Sequence, residues 1–221
     1  MIKGIIFDHD GTLVKSEHEH YKIWRSIVQE YGHDLSEEVY IASYSGVPTV
    51  QNAELLINSF DLPLTVEALC ERKKQDMAAF LATGSFETMP YAKEILARCQ
   101  ALGLKQAIAS GAKRAEIDHS RAAHNYDAYC EAFVTYEDVA QSKPAPDAYI
   151  LAASLLGLEI NECIAVEDSY SGVTSAKAAN MYCIAIPNAY SAKQDLSAAD
   201  IQLPSLEAAC EHIETLVTKS A

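Results

Sequence analysis

Five short, mostly apolar runs, at residues 4–7, 105–109, 132–135, 162–166 and 182–186, have the length of strands buried on both faces. Between them apolar residues recur at helical spacing. One such segment covers 91–102, where Ile95, Leu96 and Cys99 fall on one side, and others cover 114–124, 147–156 and 172–180. Strands alternating with helices in this order predict a doubly wound, Rossmann-like α/β core with a parallel sheet. From about residue 15 to residue 83 the strand signal vanishes, and amphipathic helices are predicted at 17–31, 36–44, 50–60 and 66–82. In the first of these, Ile23, Trp24, Ile27, Val28 and Tyr31 form an apolar stripe read as core, and Gly32 ends the helix. The expected organisation is an α/β core made of residues 1–15 and 83–221, interrupted after its first strand by an all-helical domain at 16–82.

Composition narrows the class of partner. Hydrophobic residues make up 49% and charged residues 22% of the chain, an ordinary globular mix. Lys and Arg number 17 against 31 Asp and Glu, a formal charge of −14, with no basic stripe to follow a phosphate backbone, so nucleic acid is not an expected partner. A small anion is compatible with this field only where a bound cation and a nearby lysine reverse its sign. The cysteines, Cys70, Cys99, Cys130, Cys163, Cys183 and Cys210, are scattered without metal-binding spacing and are expected to be reduced. The N-terminus meets Asp8 after a short apolar run, too early for a signal peptide, and no stretch approaches the roughly 18 apolar residues of a membrane span. A cytoplasmic protein without membrane contact, a monomer or small homo-oligomer, is expected.

Ligands of open α/β sheets bind beyond the carboxyl ends of the strands, which singles out the polar residues directly after each run. After the first comes Asp8-His9-Asp10-Gly11-Thr12, with two carboxylates aimed from one turn and a glycine that permits it. The same pattern occurs in calcium-type loops and plain turns. His9, between the carboxylates, is read as structural, because strand alternation points it away from them. Ser110-Gly111 follows the second run, where a hydroxyl and free amides before a helix can hold a phosphate oxygen or simply cap the helix. Lys143 precedes a proline-punctuated helix start, a place where lysine is often surface decoration. Glu167-Asp168-Ser169 follows the fourth run, and by itself fits a helix cap as well as a site.

In combination and in this order, Asp8-x-Asp10-Gly11-Thr12, Ser110, Lys143-Pro144 and Glu167-Asp168-Ser169 resemble the four motifs of the haloacid dehalogenase superfamily. Lys143-Pro144-Ala145-Pro146-Asp147-Ala148-Tyr149 and the Gly172, Ala176, Ala179 and Met181 that follow the last motif resemble the subgroup of β-phosphoglucomutase and sugar-phosphate phosphatases. That subgroup carries a helical cap after the first motif, where the helical segments lie here. Lys15 and Asn180 depart from the pattern, standing where relatives have an acidic residue and a glycine.

The resemblance implies a phosphatase acting on a small phosphorylated metabolite, such as a sugar phosphate. Asp8 would be the nucleophile that forms an aspartyl phosphate, and Asp10 the acid and base at the leaving oxygen and at water. Gathered carboxylates at about 4 Å repel by about 4 kcal/mol per pair at an effective dielectric of 20, so a hard cation is required. Magnesium (Mg2+) is expected, held by Asp8, the Asp10 carbonyl and Asp168, with Glu167 as a further ligand or supporting partner. Lys143 would steady Asp8 and the transferring group, while Ser110 and Gly111 bind phosphate oxygens. In the cap, His20, Trp24 and the loop around Gly46 are the expected substrate-facing elements. A sugar-phosphate mutase is the alternative within the superfamily. Phosphonate hydrolysis, with Lys15 or Lys22 forming a Schiff base, and a non-catalytic binding domain are the weaker readings.

Overall fold

The computed structural model describes residues 1–219, which leaves the last two residues of the expected core outside the described part. The chain divides into two compact units, Met1–Lys15 with Glu87 onward, and Ser16–Phe86. The first unit is built on a sheet of β1 (Gly4–Phe7), β2 (Lys105–Ala109), β3 (Ala132–Val134), β4 (Cys163–Glu167), β5 (Tyr182–Ala185) and β6 (Ile201–Gln202), ordered β3-β2-β1-β4-β5-β6. Every pairing is parallel. The strand order reverses direction between β1 and β4, which is where this topology opens a crevice at the strands' carboxyl ends.

Both faces of the sheet are covered, which explains why its strands read as continuous apolar runs rather than as alternating ones. Ile5, Phe7, Ile108, Ile164, Val166 and Ile184 share one core with Ile95, Leu96, Cys99, Ala209, Cys210 and Ile213. Those helical residues belong to α5 (Ala92–Ala101) and α9 (Leu206–Lys219). On the other face Ile6, Ala107, Ala109, Ala165 and Cys183 meet Tyr149, Ala152, Val173 and Ala176. These come from α7 (Asp147–Leu155) and α8 (Tyr170–Ala178), and the alanines let helix and sheet approach closely. The remaining helix of this unit, α6 (Arg114–His124), buries Ile117.

The second unit is all helical: α1 (Ser16–Glu30), α2 (Glu37–Ser43), α3 (Thr49–Phe60) and α4 (Val66–Thr83). Ser36 and Thr65 start α2 and α4 by accepting hydrogen bonds from the Val39 and Ala68 amides. The buried stripe of α1 is Tyr21, Trp24, Ile27 and Val28. Tyr31, expected in that stripe, is 37% exposed, because the helix stops at Glu30 and the chain turns through Gly32 with φ of 82°. Tyr21, one turn before Trp24, extends the stripe at its other end.

Two elements have no counterpart in the sequence reading. The strand β6 is only two residues long, too short for any periodicity. The helix α9 carried a legible face, Leu206, Ala209, Cys210 and Ile213, at i, i+3, i+4 and i+7. Asn180 stands in the left-handed region with φ of 58°, a conformation that asparagine tolerates and that a glycine would also satisfy. All six cysteines are free, five of them buried. Among the described residues no helix is long and apolar enough to cross a membrane.

Candidate active site

Phe7 sits in register with Ile108 on one side and Val166 on the other, so the residues that follow β1, β2 and β4 emerge together. The Asp8 amide extends the sheet by donating to the Val166 carbonyl at 2.9 Å. The chain then turns through Gly11, with φ of 83°, and closes as Gly11 N donates to Val14 O and Leu13 N to His9 O. A side chain at Gly11 is also excluded by space, since a Cβ would meet the carboxylate of Asp168.

Lys143 is the hinge of the charge arrangement. Its Nζ donates to Asp8 Oδ1 and to Glu167 Oε1, both at 2.6 Å, and all three side chains are buried. Glu167 is saturated: Oε1 also accepts from Tyr149 Oη at 2.7 Å, and Oε2 accepts from the Asp168 amide at 3.1 Å and from the Ser169 amide and hydroxyl. Gly172 is required by this carboxylate, because any Cβ there would overlap it. Asp10 accepts at Oδ2 from Ser110 Oγ at 2.9 Å, and that hydroxyl in turn accepts from the Ala112 amide at 2.9 Å. Gly111 is exposed and a Cβ would reach only Ser142 Oγ, at 3.6 Å, so any role rests on its amide and not on its lack of a side chain.

Burial pushes the Asp8 carboxyl up, to about 7; Lys143 pulls against this, and the negative charges of Glu167 and Asp10 add to it. Burial alone would lower Lys143, but the charges of Asp8 and Glu167 and the hydrogen bonds to them outweigh it and raise the ammonium above its ordinary range. Tyr149 is raised by burial and then by Glu167, so its hydroxyl stays a donor. Carboxylate oxygens of Asp8, Glu167 and Asp168 lie within 4.8 Å of one another. This donor set is all oxygen and hard, and a single lysine cannot balance three buried carboxylates, so a divalent cation fits the cluster. Glu167 would have to give up a donor to become a ligand, whereas its present bonds suit it to holding Lys143.

The haloacid dehalogenase-like hydrolase family matches residues 5–186 of this chain. The chain belongs to that family. The CbbY protein of Rhodobacter capsulatus is 33% identical over 94% of this chain and 95% of its own length. The fructose-1-phosphate phosphatase YqaB of Escherichia coli is 30% identical over 80% of this chain and 93% of its own. Among solved structures, CbbY of Rhodobacter sphaeroides in complex with phosphate superposes with a TM-score of 0.74 at 26% identity, covering 93% of this chain and 95% of that one.

Six of the residues singled out in the sequence, Asp8, Asp10, Ser110, Lys143, Glu167 and Asp168, gather at the strand ends of this haloacid dehalogenase-like core. His9 is fully buried, its ring edge-on to Tyr126 at 6.2 Å between centroids, and its Nδ1 comes to 3.4 Å from Asp10 Oδ1, so it does not point away from both carboxylates as strand alternation implied. His20 and Gly46 belong to the helical unit. There His20 Nδ1 is 2.8 Å from Lys73 Nζ, a buried lysine that also lies 5.6 Å above the Trp24 ring. Gly46 has φ of 72°, in a loop tied down by Asn52, whose amide donates to the carbonyls of Tyr44 and Val47. Lys15 and Lys22 are engaged with Glu87 and Glu19 at 2.6 and 2.8 Å. Sequence reasoning passed over Lys73 and Asn188, and it met Tyr149 only as the end of the Lys143-to-Tyr149 segment, without a role. The rule that found the other residues, polar side chains just after a strand, applies equally to Asn188 beyond β5.

Proposed function

We infer that the protein is a phosphatase that removes phosphate from a small phosphorylated metabolite, a sugar phosphate or a close analogue. The observation that carries this is the convergence at the carboxyl ends of the strands of a lysine-held carboxylate, Asp8, with a second carboxylate, Asp10, that shares a hydrogen bond with Ser110. Membership of the haloacid dehalogenase-like hydrolases and the fructose-1-phosphate phosphatase relative support the substrate class.

In this reading Asp8 attacks phosphorus. The bond from phosphorus to the ester oxygen breaks as that oxygen takes a proton from Asp10, leaving the alcohol and an aspartyl phosphate. Water then adds to phosphorus while Asp10 recovers a proton from it, and the bond to Asp8 breaks to release phosphate. Lys143 favours the ionised form of the Asp8 carboxylate and aligns it, and its charge faces the transferring group. Ser110 and the Gly111 amide bind phosphate oxygens. Asp8, Asp168 and the Asp10 carbonyl would hold a magnesium ion, which supplies positive charge against the dianionic phosphate. Glu167 fixes Lys143 in place.

The helical unit is the proposed cap, with His20 and the Gly46 loop toward the substrate. A mutase must hold a second phosphate, and the loop Gly46-Val47-Pro48-Thr49-Val50-Gln51 brings no cation to do so. Lys22 and Arg25 are paired with Glu19 and Asp34. Lys73 does give this unit a buried cation, so the decisive assay follows isomers as well as phosphate. The purified protein is incubated with sugar monophosphates, a bisphosphate primer, and magnesium or chelator. Magnesium-dependent release of phosphate without isomerisation is expected. Isomerisation with little phosphate release would establish the mutase, and silence across the panel would leave a binding domain.

A further inference from the structure

Asn188, which the mechanism above leaves out, is wired to Asp168. Its Nδ2 donates to Asp168 Oδ2 at 2.7 Å and to the Gly11 carbonyl at 3.0 Å. The orientation of the amide is not free. Oδ1 accepts from the Tyr190 and Ser191 amides at 2.7 and 3.3 Å, and the Asn188 amide donates to the buried Ser191 hydroxyl at 3.0 Å. A flipped amide would set its oxygen against a carboxylate and a carbonyl, and its NH2 against two N–H donors. The turn after β5 therefore points a fixed N–H at one oxygen of Asp168. Thr12 Oγ1 approaches the other oxygen at 3.4 Å.

We propose that Asn188 is a positioning residue that presets the Asp168 carboxylate and, through Gly11, the Asp10 turn, so that the two sides of the cation site are assembled before the cation arrives. This rests on the reading of Asp168 as a cation ligand. A carboxylate with one oxygen restrained loses less freedom on binding a cation. Removing such a partner weakens metal binding while the ligand itself stays in place.

Calorimetric titration of the full-length protein with magnesium chloride tests this without reference to turnover. Asn188→Leu keeps the bulk and removes both donated bonds. It should weaken magnesium binding by roughly 10- to 100-fold, the range usual for loss of a supporting contact. Activity should be recovered, largely or wholly, at high magnesium with little change in KM for the phosphorylated substrate. Combined with Asp168→Asn, the same change should cost little further affinity, because the group it positions is already lost. Wild-type affinity in Asn188→Leu, beside a clear loss in Asp168→Asn, overturns the proposal and leaves the cation site standing. No magnesium binding by the wild type overturns both. If Asn188→Leu does not fold, Asn188→Ala loses the same bonds and is held to the same outcomes.

Discussion

At the scale of single residues the site is a problem of unbalanced charge. Asp8 and Glu167 share one buried lysine, and removing it leaves two buried carboxylates facing each other. Lys143→Met should therefore cost stability, about 3–5 kcal/mol by the usual penalty for breaking a buried pair, with chemical denaturation in chelator as the measurement. Added magnesium should restore part of the loss. The Asp8 shift gives a second expectation. Its folded value, about 7, lies above its ordinary 3.8, so in chelator the folded state binds the extra proton between those limits. Stability of the wild type relative to Asp8→Asn should then fall as pH rises through that window, and level off above it. A difference that is flat with pH would contradict the burial argument. The carboxylates and the lysine were legible as residue types that follow strands. What they bond to was not. That Glu167 spends both oxygens on Lys143, Tyr149 and backbone amides depends on residues up to 24 positions away, and no spacing rule reports it.

Secondary-structure elements fix where those residues stand. The helix α8 begins with Ser169, whose hydroxyl accepts from the Gly172 amide at 3.1 Å, and it presses its first turn onto the Glu167 carboxylate. Gly172→Ala would put a methyl group where that carboxylate is, and an expected loss of about 1–3 kcal/mol should appear in denaturation, together with reduced turnover as Lys143 shifts. Gly111→Ala is the contrast, since its Cβ has room and the stability change should be small. In the sequence Gly111 read as a turn or helix cap and Gly172 as the start of a helix, and neither reading showed that only Gly172 faces a carboxylate. Strand periodicity and strand ends were legible because the sheet is buried on both faces and its runs are uninterrupted. The two-residue β6 left no such signal, and Tyr31 fell outside the buried stripe because α1 stops before it, where Gly32 turns the chain.

Across the whole molecule, a net charge of −14 surrounds a site meant for anions. The field repels a phosphate ester at long range, and Lys143, together with the proposed cation, would reverse it locally. Raising ionic strength from low to physiological values should therefore increase kcat/KM modestly, the opposite of a sterically identical enzyme with a basic rim. A decrease would mean that the helical unit, Lys73 included, supplies attraction that the total charge conceals. The order of the motifs and the helical insertion were readable because the α/β core is interrupted cleanly after β1. Which phosphorylated metabolite is chosen was not, since no residue pattern in the chain names it. The claim on which the rest depends is that Asp8 itself takes the phosphoryl group. Its most direct test is the rate of phosphate release by Asp8→Asn beside the wild type, with saturating magnesium and the best substrate of the panel. The account predicts a folded protein with no measurable turnover, whereas a rate of more than a few per cent of wild type would contradict it.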